Sequence, residues 1–207
     1  MTEFSTRAQC APGNAALRAM FAARKRVFID LLKWDLPALA GEYEIDQFDT
    51  ADAHYLILLG ADGEHRASAR LLPSVGTHLL GGLYAHLCDR SVPRGPTIYE
   101  ISRFCLDRDQ DAAARLAARN QLVTALAEHA LREGITHYTG VAEEGWFRQI
   151  MKFGWRCEAL GGAIDDRRAR LVGLCIHIDD RTLDGLKRAG VYAPLSLRLA
   201  ESGEMIA

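Results

Sequence analysis

Apolar residues recur at near-helical spacing between positions 14 and 33. Leu17, Met20, Phe21, Phe28 and Leu31 or Leu32 would share one face of a helix. Asn14 is a fitting N-cap, and Trp34 and Pro37 close the run. His54 to Leu59 is a short apolar stretch, Asp62-Gly63 follows, and Glu64 to Leu72 alternates, which predicts a hairpin with an Asp-Gly turn. Leu79 to Leu87 reads as a short helix. Thr97 to Leu106 reads as a strand rich in β-branched and aromatic residues. Asp111 to Glu133 carries a strong helical pattern that Gly134 would end. Ile135 to Val141 predicts a strand, Trp146 to Lys152 a helix ending near Gly154, and Trp155 to Leu160 and Leu171 to Ile178 two more strands. Asp179 to Arg188 reads as a last helix.

This order predicts the α/β class, with one mixed sheet covered by helices. The strand–helix–strand steps over 97–141 and 136–160 imply parallel neighbours with right-handed crossovers. No Pro/Gly/Ser-rich linker divides the 207 residues, so one domain over 1–207 is expected, with 1–13 and 195–207 peripheral. The formal net charge of −2 gives no global basic field for nucleic acid, and no helix-turn-helix with a basic recognition face is visible. The five cysteines form no CxxC pair and no metal-ligand spacing, so no metal site is expected and reduced thiols in a cytoplasm are the simplest reading. MTEFSTRAQC holds no apolar core of a secretory signal, and no run approaches a membrane span.

The charged residues change the picture. In GEYEIDQFD, Glu42, Glu44 and Asp46 alternate with Tyr43 and Ile45, so an extended chain would put the acids on one face, with Asp49 close behind. The interleaved rings and aliphatics argue against a loop that only faces water. Arg70, Glu100 and Arg103 lie inside predicted strands, where an unpaired charge is expensive. Glu100 and Arg103 are three apart and face opposite ways unless a bulge lies between them. Either these residues are structural ion pairs, or they form a mixed-charge site for a zwitterionic, partly cationic small molecule.

One ordered pattern is more specific. It runs Arg24-x-x-x-Phe28-x-x-x-x-x-Trp34, Glu44-x-Asp46-x-x-Asp49, Arg70-Leu-Leu-Pro, then Glu100-x-Ser102-Arg103-Phe104. It resembles the LuxI-type acyl-homoserine lactone synthases, from about residue 17 to about 178. Tyr84 stands where that family usually has Phe, which keeps the ring and adds a hydroxyl. The resemblance implies a three-layer α/β/α sandwich with a twisted mixed sheet, similar to the GNAT acyltransferases. It also implies two substrates, S-adenosylmethionine (SAM) and an acyl thioester on acyl carrier protein or coenzyme A, and no separate cofactor. The oligomeric state stays open.

The resemblance assigns candidate roles residue by residue. Glu44, Asp46, Asp49, Arg70, Glu100 and Arg103 are the expected catalytic set. Arg24, Phe28, Trp34 and Tyr84 would meet SAM, whose cationic groups need acids, whose carboxylate needs donors and whose sulfonium and adenine suit rings. Ser102, Phe104, Cys105, Thr139, Val141, Trp146, Met151 and Leu174 would meet the acyl thioester. Phe104 and Cys105 would offer backbone N–H groups to the oxyanion. The base that frees the amine would be Glu100, or a water held by Glu44 or Glu100. The arginines either orient the substrate carboxylate or simply pair with the acids. Thr139 is either a plain strand residue or a hydrogen-bond partner for a 3-oxo acyl chain. Arg148, Lys152, Arg156, Arg167, Arg168 and Arg170 are either a solvated face or a dock for an acidic carrier protein.

Two other readings fit parts of the pattern. A GNAT-type N-acyltransferase using acyl-CoA would usually carry a Gly-rich pyrophosphate loop, and Arg108 to Arg115 has no glycine. A catalytically silent SAM-binding protein would have little reason to keep Glu44, Asp46, Glu100 and Arg103 together.

Overall fold

The first helix begins on schedule and then changes pitch. Strand β1 is Thr2–Ser5 and helix α1 is Ala15–Arg24, continued by a π-helical segment, Lys25–Leu31. The wider pitch gives i→i+5 bonds such as Leu32 N–H to Val27 C=O. It also rotates the apolar stripe, so Leu31 and Leu32, one of which was expected on the apolar face, are both exposed. Two short strands follow, β2 (Ala38–Leu39) and β3 (Tyr43–Glu44), joined by Ala40 and Gly41, both with positive φ. Then come β4 (His54–Leu59), β5 (His65–Pro73), α2 (Leu79–Gly82), a 3-10 turn (Ala85–Leu87) and β6 (Ile98–Leu106). Helix α3 is Ala112–Glu133, β7 is His137–Glu143, and α4 is Glu144–Ile150 with a 3-10 turn over Met151–Phe153. The chain closes with β8 (Arg156–Ala159), β9 (Ile164–Asp166), β10 (Ala169–His177), α5 (Thr182–Arg188) and β11 (Leu197–Ala200).

These elements are seen in a computed structural model. It describes residues 2–5, 15–166, 169–194 and 197–200. The expected cap Asn14 lies outside the described residues. The chain folds as two compact units. The first draws on Met1–Arg70, Arg103–Leu122 and Pro194–Ala207, the second on Leu71–Ser102 and Val123–Ala193.

In the first unit, β1 pairs parallel with β11 and antiparallel with β4. The two end segments expected to be peripheral thus contribute strands. The β4–β5 hairpin turns where Asp62-Gly63 predicted it. Gly63 has φ +79°, and Asp62 Oδ1 accepts the Glu64 N–H at 3.0 Å. The core here includes Leu17, Met20, Phe21, Tyr55, Leu56 and Ile57, all buried.

In the second unit, β6 pairs parallel with β7 from Ile98↔His137 to Ile101↔Gly140, as the 97–141 crossover required. The second expected parallel pair differs. Strand β10 is antiparallel to both β7 and β8 and lies between them, so β7 and β8 are not neighbours. β9, absent from the sequence expectation, forms an antiparallel ladder with β10. Tyr138 is fully buried on β7 and donates its hydroxyl to the Leu126 carbonyl of α3 at 3.1 Å. Gly154 ends the 3-10 turn with φ +99°, and a Cβ there would collide with the Gly185 carbonyl of α5. Each unit carries parallel and antiparallel ladders, so the sheet is mixed and the α/β class holds. Among the described residues no helix is long and apolar enough to cross a membrane.

Candidate active site

The first unit answers what the acids are for. Arg24, the last residue of α1, reaches Glu44 on β3 through Nε at 2.5 Å. Its Nη1 and Nη2 each donate to one oxygen of Asp49 at 2.8 Å. Arg70 on β5 takes Asp46 at 2.6 and 3.2 Å, and Asp49 at 2.9 Å. Arg103 on β6 takes Glu44 at 2.9 Å and Asp46 at 2.6 Å. Every acid therefore bridges two arginines and every arginine bridges two acids. The six side chains close a charge-balanced ring in the order Arg24, Glu44, Arg103, Asp46, Arg70, Asp49.

Local structure sets this ring. The extended acidic strand expected over residues 42–46 lasts only two residues. Glu42 falls in the exposed turn and stays out of the ring. Beyond Glu44 the chain bends back on itself. The Asp49 N–H reaches the Asp46 carbonyl at 3.1 Å, Asp46 N–H reaches Asp49 Oδ2 at 2.8 Å, and Phe48 N–H reaches Asp46 Oδ1 at 2.8 Å. That bend brings Asp49 in where strand alternation would have left it out. Arg103 has φ +50° inside β6, a left-handed conformation that interrupts the pleat between Glu100 and Leu106. Each arginine also lies over a phenylalanine ring: Arg24 over Phe21 at 5.0 Å, Arg70 over Phe48 at 5.7 Å, and Arg103 over Phe28 at 5.5 Å.

The ring is dry. Arg24 and Glu44 have no exposed surface, while Asp46 and Arg103 keep 6 and 7% of their side-chain surface and form its rim. Burial alone would push the Asp49 carboxyl up. The Arg24 hydrogen bonds and the Arg24 and Arg70 charges win and hold it well below the usual range. Arg24 is likewise held above its ordinary value, because Asp49 and Glu44 outweigh its burial. Arg24 was expected against SAM. Its buried guanidinium instead fixes two of the acids. Phe28 packs with Ala23 and Cys105, and Trp34 stacks on it at 4.9 Å with 38% of its surface exposed. Burial pushes the Cys105 thiol up to about 12, so it is no nucleophile.

In the second unit, Glu100 on β6 is buried and accepts two backbone N–H groups from the start of α2, Leu79 at 2.9 Å and Leu80 at 2.6 Å. It thereby pins the segment that leads to half-buried Tyr84. Ser102 is half-buried on the same strand. On β7, Thr139 is fully buried and its Oγ1 has no hydrogen-bond partner; Val141 on that strand is half-buried. Leu174 is buried on β10 beside Gly140. Trp146 meets Phe153 edge-on at 5.8 Å. Met151 departs from its expected place in an apolar tunnel: it sits in the 3-10 turn after α4 and is 45% exposed. Of the expected basic face, Arg148 and Arg170 pair with Glu144, and Arg156 contacts His177, while Lys152 is exposed. Arg167 and Arg168 lie outside the described residues.

Sequence reasoning missed several partners. Tyr55 donates to Asp49 Oδ1 at 2.7 Å from within the apolar run HYLILL, where a ring reads as plain core. Phe21 and Phe48 had the same disguise. Asp107 is bound by Arg26 at 2.7 Å, with buried His65 3.8 Å away and bonded to Ser68. Arg108 and Arg115 line a cleft of about 280 Å³ in the first unit with Val27, Leu31 and Leu106.

Comparison with known proteins places this geometry. The fold is shared with a putative N-acetyltransferase from Lactobacillus plantarum, which superposes with a TM-score of 0.56 at 21% identity, over 86% of this chain and 98% of that one. The chain belongs to the autoinducer synthase family, whose pattern it matches over residues 9–189. It is 32% identical over 169 residues to an acyl-homoserine-lactone synthase of Ralstonia nicotianae, covering 79% of this chain and 82% of that protein. BjaI, a CoA-dependent acyl-homoserine lactone synthase solved with MTA, superposes with a TM-score of 0.85 at 25% identity, over 99% of this chain and 95% of that one. The same protein solved with SAM and isopentyl-CoA gives 0.84.

Proposed function

We propose that this protein joins the amine of SAM to an acyl thioester and closes the product to an N-acyl-L-homoserine lactone. The observation that carries the reading is the closed ring of Arg24, Glu44, Arg103, Asp46, Arg70 and Asp49. All six belong to the ordered pattern that resembles the synthases, and family membership supports the same chemistry. In the first step the amine nitrogen attacks the thioester carbonyl, a C–N bond replaces the C–S bond, and the thiol leaves with a proton. In the second, the substrate carboxylate attacks its own γ-carbon and expels the neutral thioether methylthioadenosine (MTA). SAM is consumed as a substrate and no retained cofactor is needed.

The roles follow from position. The ring is balanced and buried, so its interior acids act by holding the fold of the site, and its rim, Asp46 and Arg103, is what a zwitterion meets. Trp34, exposed on Phe28, offers a ring to adenine or sulfonium. Glu100, anchored by two N–H groups, orients a water that takes the amine proton. Linking the reactants in one molecule supplies much of the second step. The hydroxyl of Thr139, buried without a partner, suits a 3-oxo acyl group, because an unpaired buried hydroxyl gains most from a ligand oxygen. Leu174, Val141 and Trp146 would border the acyl chain. The donor is an acyl-CoA or an acyl carrier protein thioester, and both place the enzyme in the cytoplasm. Arg148, Lys152 and Arg170 would meet an acidic carrier. A panel of both thioester types, varied in length and 3-oxidation, read by SAM-dependent thiol release, tests the reading and identifies the carrier. Release from none of them, with SAM bound, would contradict it.

A further inference from the structure

We propose that His137, Cys175 and His177 form a binding site for a borderline-soft divalent cation of the zinc class. The three residues come from two antiparallel strands of the second unit. His137 on β7 stands opposite His177 on β10, and Cys175 is two residues back on the same face. One donor atom from each lies within 4.8 Å of the other two. The two imidazoles meet edge-on with centroids 4.8 Å apart. A thiolate and two imidazoles are the donors that borderline and soft cations prefer, and three protein ligands leave a fourth position for water. The sequence reading expected no metal because it looked for ligands close in sequence. Here 38 residues separate His137 from Cys175, and only the strand register unites the donors.

The surroundings prepare the nitrogens. The Thr136 hydroxyl donates to the Thr97 carbonyl at 3.3 Å, so its oxygen accepts from His137 Nδ1–H at 2.9 Å and leaves Nε2 with a lone pair. An arginine can only donate, so Arg156 at 2.6 Å makes His177 Nδ1 an acceptor. His177 Nε2–H then donates to Glu158 at 2.6 Å. A cationic group therefore already sits on the lone pair that a metal would take, and a carboxylate holds the other side of the ring, as it does behind metal-bound histidines. On binding, Arg156, which is exposed, swings off Nδ1, Cys175 forms an S–metal bond and its thiol proton passes to solvent. His177 keeps 17% of its side-chain surface exposed and Cys175 is 4% exposed, so the ion enters from the histidine side.

The test is titration of the metal-free, reduced full-length protein with Co²⁺. The expected result is one equivalent bound, with a thiolate-to-cobalt charge-transfer band that Zn²⁺ abolishes by competition. Cys175→Ser should lose the band. His137→Gln and His177→Gln should each weaken affinity by about tenfold or more. Arg156→Ala should tighten it, because a competing cation is gone. If Cys175→Ser fails to fold, the two histidine variants and Arg156→Ala decide the matter. The absence of a band, a band unchanged in Cys175→Ser, or affinity unmoved in both histidine variants would overturn the proposal.

Discussion

Arg24 grips Asp49 with both ends of its guanidinium, each nitrogen 2.8 Å from a carboxylate oxygen, and both side chains are shut off from water. Asp49 in turn passes charge on to Arg70. The pair is buried, so removing one partner leaves an uncompensated charge. Arg24→Ala should destabilise the protein by about 3–5 kcal/mol in denaturant unfolding. Arg24→Lys should recover only part of this, because an ammonium cannot make the two-pronged contact with Asp49 while also reaching Glu44. Full stability in Arg24→Lys would show that charge alone matters.

The same carboxylate fixes the direction of acid sensitivity. Asp49 stays ionised to lower pH in the folded protein than in the unfolded chain, where a carboxyl of this type titrates near about 3.9. Its contribution is therefore complete above that value and shrinks as pH falls toward the lower folded one. Unfolding midpoints measured from neutral pH downward should drop steeply only in this acid window. Asp49→Asn, less stable at neutral pH, should show a shallower acid limb.

Tyr55 reports on the ring from outside it. Burial and the Asp49 charge both hold its hydroxyl in the neutral form, as a donor. Tyr55→Phe removes one bond to a charged acceptor and should lower stability by about 1.5–3 kcal/mol while the ring stays assembled. A change near zero in thermal unfolding would mean that Asp49 needs no donor beyond Arg24, Arg70 and the Asp46 N–H.

Much of this was legible in the sequence, for reasons that differ by residue. Arg70 and Arg103 betrayed themselves as charges inside strands. The Asp-Gly turn and the long helix before Gly134 follow from local chemistry alone. The π-helical segment did not show, because the choice between i→i+4 and i→i+5 bonds over Lys25–Leu31 leaves no compositional mark, and so the place given to Leu31 or Leu32 was wrong. Glu42, expected on the acid face, stays outside the ring because the strand ends at Glu44, and Asp49 joins it through a bend held by Asp46 rather than by strand alternation. Phe21, Phe48 and Tyr55 looked like core. β10 between β7 and β8 is a matter of long-range pairing, which no local pattern encodes.

Thr139 separates binding from structure. Its hydroxyl is buried without a partner, so Thr139→Val, nearly equal in volume, should leave stability unchanged or raise it. If that oxygen meets a 3-oxo group, the variant should lose about fivefold in relative use of 3-oxo over unsubstituted donors. An unchanged ratio would return Thr139 to an ordinary strand residue.

The central claim is that one protein couples amide formation to lactone closure on SAM. Mass spectrometry of a reaction containing purified protein, SAM and its best thioester donor measures this directly. The account expects N-acyl-homoserine lactone and MTA to accumulate in equal amounts, and both to vanish in Arg103→Ala. Acylated amine without MTA, or MTA without lactone, would contradict it.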